Sequence, residues 1–165
     1  MAAGSTYTPI STTTLSSTNT SVTFSSFSGY TDLVVVFSVK AATTTMNAGV
    51  RFNSDSGANY NSNSLEGNGG STRAQLFTNA TFIRPDSYGY VTTTDFNIKL
   101  VNIMNYANST TYKPVLTRSS NGSVGIDAFV GLWRNTAAIT DIEVFARNDT
   151  FAVGSTFTLY GIAAA

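Results

Sequence analysis

The chain has 165 residues, enough for one domain that buries roughly 70% of the surface of its unfolded chain. Nine Lys+Arg balance nine Asp+Glu, and there is no Cys and no His. This excludes disulfides, Cys/His zinc sites, thiol chemistry and a Ser-His-Asp triad, and it leaves no basic field for nucleic acid. Serine, threonine and asparagine number 20, 26 and 15, while charged residues make up only 11% of the chain. Thr, Phe and Tyr favour strands, and helix formers are scarce, with one Gln, two Glu and three Lys. The composition predicts a nearly all-β protein.

In chain order, residues 1–20 are Ser/Thr-rich with isolated anchors at Tyr7, Ile10 and Leu15. They read as an extended N-terminal arm or an edge strand. Three anchors are few for a private core, so the expectation is an assembly arm that docks on a neighbour. Residues 21–165 read as a single domain. Val22–Phe24 alternates, and Leu33–Phe37, continuing to Val39, has the continuous apolar run of a central strand buried on both faces. Gly49–Phe52 is a short strand. Residues 53–72 hold four Gly amid Asn and Ser, and predict a long, mobile or partner-dependent loop.

Short strands follow at Ala74–Phe77 and Thr81–Arg84. Thr92–Ile103 alternates, with Phe96, Ile98 and Leu100 on one face and Asp95, Asn97 and Lys99 on the other. The adjacent Leu100 and Val101 predict a bulge. In Tyr112–Arg118, Pro114 argues for a sheet edge. Asn121-Gly122 signals a two-residue hairpin, followed by strands at Ile126–Trp133, Ile139–Ala146 and Thr156–Ile162. Roughly eight to ten strands without a helix indicate an antiparallel β-sandwich. A jelly-roll fits this strand count better than an immunoglobulin sandwich.

Candidate chemistry is sparse. Asn53-x-Asp55-x-Gly57-x-Asn59 offers alternate oxygen donors, but the sixth-position Gly and bidentate Glu of an EF-hand are missing. A solvated Asx-rich loop accounts for Asn53, Asp55 and Asn59 better than a cation site does, so no metal or cofactor is expected. Asp141 and Glu143 fall on one strand face about 7 Å apart. The polar outer face of a sandwich explains them without catalysis, and no enzyme activity is expected. Tyr60, Tyr88, Tyr90, Tyr106 and Trp133 lie near predicted strand ends or loops, where aromatic rings can stack on a glycan or a protein partner.

The segment Val50–Tyr60 and the ending Asn148–Ile162, with Leu33–Phe37 after Tyr30-Thr31-Asp32, resemble a recurrent domain of tailed-phage structural proteins common among phages of cyanobacteria. The resemblance implies a β-sandwich virion protein, on the capsid exterior or in the tail fibres. The start of the chain has neither a positive n-region nor an apolar h-region. The expected setting is therefore synthesis in the host cytoplasm without a signal peptide, then a place on the particle exterior. With no heptads or collagen-like repeats for a shaft, the expectation is a capsid-decorating or cement protein. The alternative is a tail-fibre tip or receptor-binding head recognising host-surface glycan. Expected partners are further copies of the chain, a trimer by analogy, and other virion proteins such as the major capsid protein or tail components. Neither nucleic acid nor membrane is expected.

Overall fold

The computed structural model describes residues 6–163, which form eleven strands and no helix. The strands are β1 (Tyr7–Thr14), β2 (Ser21–Ser25), β3 (Asp32–Val39), β4 (Ala48–Phe52), β5 (Tyr60–Gly67), β6 (Thr72–Ala80), β7 (Asn97–Ile103), β8 (Lys113–Asn121), β9 (Gly125–Trp133), β10 (Asp141–Ala146) and β11 (Thr156–Ile162). They make two antiparallel sheets, ordered β1-β11-β3-β7-β8-β9-β5-β6 and β2-β10-β4. The pairing is nested: β1 lies beside β11, β2 beside β10, β3 beside β7, and β4 is bridged to Ile83 through Val50. A long hairpin wrapped into two sheets pairs in this way, which is jelly-roll topology. The β5–β6 and β8–β9 hairpins are additions to that plan. They join each other through β5 and β9 and widen one sheet to eight strands.

The three-stranded sheet covers only part of the wide one. Between them lies an apolar core that includes Val22, Phe24, Leu33, Val35, Phe37, Val50, Phe52, Ile142, Val144, Phe157 and Leu159. In β3, Leu33, Val34, Val35 and Phe37 are all buried, as the apolar run predicts for a central strand.

β1 is an edge strand of its own sheet, not an arm reaching for a neighbour. It pairs with β11 from Tyr7 opposite Ile162 to Thr14 opposite Thr156. Leu15 is in the core, Ile10 packs against it, and Tyr7 sets its ring edge-on to Tyr160. The first five residues of the expected arm lie outside the described residues.

The expected 53–72 loop is mostly strand. Only 53–59 and 68–71 are turns, and β5 between them is an interior strand paired on both sides. Its inward positions Tyr60, Ser62, Ser64 and Glu66 are buried. Other differences are local. Thr81–Arg84 is not a strand and contributes only the Ile83 bridge. β7 begins at Asn97 and runs without a bulge, so Leu100 and Val101 simply face opposite sides. Register shifts occur instead at Pro9/Ser11 and Tyr60/Ser62. Pro114 is in an interior strand, where it is tolerated because pairing with β7 starts only at Val115. The β8–β9 turn has three residues, closed by Val124 N–H donating to the Asn121 carbonyl at 2.9 Å.

Candidate functional site: an inverted sheet

Strands β7, β8 and β9 alternate as expected and β5 alternates beside them, but at one end of the sheet the sense of the alternation is reversed. Asn97 and Lys99 of β7, Ser119 and Asn121 of β8, Asp127 of β9, and Ser64 and Glu66 of β5 are buried. Their neighbours Ile98, Leu116, Ile126, Val130 and Leu65 are exposed.

The reason lies in residues 85–92, an irregular segment laid across the inner face of the wide sheet. Val91 is bridged to Met46, but the backbone before it has no strand ladder, so side chains of the sheet satisfy several of its groups. The Asp127 carboxylate accepts from Ser87 N–H (2.8 Å), Tyr88 N–H (2.9 Å), Gly89 N–H (2.7 Å) and the Ser119 hydroxyl (2.8 Å). Asn121 donates to the Tyr90 carbonyl, and Asn97 accepts from Thr92 N–H. A Cβ on Gly89 would stand 2.7 Å from the Ser119 hydroxyl and 2.9 Å from the Asp127 carboxylate, so close approach requires glycine here.

Two ion pairs complete the layer. Lys99 Nζ, fully buried, lies 2.9 Å from Asp86 and donates to the Gly89 carbonyl at 2.6 Å. Asp86 also accepts from Ala48 N–H. Burial pushes the Asp86 carboxyl above its ordinary value, against the lowering pull of Lys99. Glu66 is held at 2.6 Å by Arg73, whose guanidinium also covers the Tyr88 ring.

With the polar groups turned inward, the outer face of β6-β5-β9-β8-β7 is left apolar. The strand register sets it out in three rows. The first is Leu76, Asn63, Val130, Leu116, Asn102; the second Ala74, Leu65, Ala128, Arg118, Leu100; the third Thr72, Gly67, Ile126, Ser120, Ile98. Six of the seven large aliphatic residues are exposed, from 39% at Leu116 to 69% at Leu65, and Leu100 is half-buried. Together they leave roughly 600 Å² open, at the top of the range for the largest apolar patch on a monomer. Arg118 is the one charged residue in the three rows. Two shallow grooves, of about 860 and 420 Å³, share the second row Leu65, Ala128, Arg118 as their border.

The candidates read from the sequence fall elsewhere. Tyr60 and Trp133 are fully buried and stack with centroids 6.4 Å apart, and Tyr106 is buried against Phe27. These three are core residues, so the expected glycan or partner contact does not hold for them. Tyr88 and Tyr90 belong to the 85–92 segment and are half-buried. Asn53 turns toward β10, accepting from Thr140 N–H at 2.8 Å and donating to the Ala138 carbonyl. The Asp55 carboxylate is occupied by N–H donors, from Trp133 Nε1 (2.8 Å), Gly57 (2.9 Å) and the Asn59 amide (3.0 Å). Asn53, Asp55 and Asn59 therefore brace the 53–59 turn and do not present a shared set of oxygens. Among the described residues no group of three or more acidic side chains is placed to hold a metal ion. Glu143 is paired with Arg51 at 2.9 Å on the three-stranded sheet.

Asp55 and Asp149 make a pH-dependent contribution. Desolvation pushes Asp55 up, but the bonds from Trp133, Gly57 and Asn59 outweigh it and hold it below its ordinary value. Asp149 is held well below the usual carboxylate range by Thr43 and Thr44, against the same opposing desolvation. Both carboxyls are depressed in the fold, so their stabilisation is present above the unfolded value near 3.8 and is lost as pH falls through the folded values. The expected result is a lower melting temperature at acid pH than at neutral pH. In Asp149→Ala that difference shrinks, because the variant is already destabilised at neutral pH. An equal acid loss in the variant would contradict this.

No protein-family model matches the chain, and no curated protein matches it.

Proposed function

We propose that the protein is a non-enzymatic structural component of a phage virion, a capsid-decorating protein on the particle exterior. The observation that carries this reading is the outer face of β6-β5-β9-β8-β7, exposed, aliphatic and almost uncharged on a jelly-roll. Such a face suits permanent burial against protein better than recognition of a soluble ligand. The jelly-roll is an architecture of capsid and lectin domains, which by itself leaves the role open. The resemblance of Val50–Tyr60 and Asn148–Ile162 to tailed-phage structural proteins favours the virion role.

Electron microscopy of particles labelled with an antibody against the purified chain tests the reading. Label distributed over the head is expected. Label confined to the tail would replace it with the fibre-tip reading, and particles without label would overturn both.

A further inference from the structure

We propose that the apolar outer face is covered by the same face of a second copy, in a twofold, face-to-face sheet dimer. This rests on the reading of that face as an assembly surface.

Area is the first argument. Two copies of the patch bury about 1,200 Å² together, the lower limit for a specific, stable interface. A small ligand or a single strand would leave much of each patch in water.

Charge is the second. The three rows contain no carboxylate, so an acidic or basic partner finds almost nothing to pair with. A second copy brings the same neutral surface. A twofold axis bisecting the packed β9 strands of the two copies at Ala128 lays β8 of each copy across β5 of the other. Arg118 then lies over the copy's Leu65, with its guanidinium beside the amide of Asn63 as a neutral acceptor. The two arginines stay about 10 Å apart, two strand spacings, so their repulsion is small.

Shape is the third. Two identically twisted sheets pack face to face at about −30°, the ordinary aligned geometry. The small Ala128 on the axis faces its own copy, which lets the two sheets approach closely at the centre.

The chain has no cysteine, which makes the test clean. Val130 lies on the proposed axis and faces itself, so Val130→Cys is expected to form a disulfide-linked dimer under mild oxidation. Leu76→Cys, two strands from the axis, is expected to remain unlinked. Sedimentation of the unmodified protein from about 1 to about 100 μM, the weak end of the range for an interface of this size, is expected to give a dimer that high salt does not dissociate. Leu65→Asp combined with Val130→Asp is expected to give a monomer with an unchanged circular dichroism spectrum.

A monomer throughout that range, a trimer, or a dimer that persists in the double variant would overturn the proposal. If the double variant fails to fold, equal cross-linking at positions 130 and 76 would do the same. A monomer that still labels particle heads would sink the dimer and leave the virion reading intact. A dimer absent from particles would do the reverse.

Discussion

Lys99→Met is expected to destabilise the protein by about 3–5 kcal/mol, because it leaves the Asp86 carboxylate buried without its counter-charge. Urea unfolding at neutral pH measures this. The deficit has a pH signature. The Asp86 carboxyl is already raised by burial, and loss of Lys99 raises it further. A group raised in the fold favours the folded state most when it is protonated, so the deficit shrinks as pH falls toward the range where Asp86 takes up its proton. Replacing both partners, Lys99→Met with Asp86→Leu, is expected to recover most of the loss. The remainder is the orphaned Ala48 N–H and Gly89 carbonyl, about 1–3 kcal/mol each and not fully additive. A Lys99→Met variant as stable as the parent would mean that the pair is solvated and the inward polar layer is not dry.

Asp127→Ala is the second large effect. One carboxylate accepts three consecutive backbone N–H groups and the Ser119 hydroxyl. Removing it orphans four donors at once, at a cost of about 1–3 kcal/mol each that does not add fully. The expected total is about 3–5 kcal/mol. The loss is local in character: amide exchange in residues 87–92 accelerates before exchange in β3 and β11. Uniform acceleration across the chain would contradict the role given to Asp127 as the clamp on the 85–92 segment.

The apolar elements were legible because burial and sequence pattern agree there. Leu33–Phe37 and Thr156–Ile162 are strands where their pattern puts them. β5 was hidden because its inward positions are Ser62, Ser64 and Glu66, chosen to hydrogen-bond and not to fill apolar space. The inversion was hidden for a related reason. Alternation fixes which residues share a face but not which face is covered, and Lys99 or Asp127 beside Ile98 or Ile126 reads as a solvent-facing charge. The available signal was confined to β7 and β9, where Ile98-Lys99-Leu100 and Ile126-Asp127 set charged beside large aliphatic residues in a chain with few charges to spare; β5 and β8 add one large aliphatic each to that face, Leu65 and Leu116. Strand-end aromatics misled because Tyr60 and Trp133 fill the core while their polar atoms reach the Phe52 and Asp55 groups of the adjoining turn. The residues of the apolar face carry no motif, and only three-dimensional register gathers them.

The central claim is that the protein assembles through the outer face of β6-β5-β9-β8-β7. Hydroxyl-radical footprinting of the assembled protein against the monomeric form tests it at residue resolution. Leu65, Leu76, Leu116, Ile126 and Val130 are expected to be protected on assembly, while Val153, exposed in the turn before β11, keeps its reactivity. Unchanged reactivity at those five residues, with protection appearing on β1 or the three-stranded sheet instead, would contradict the account.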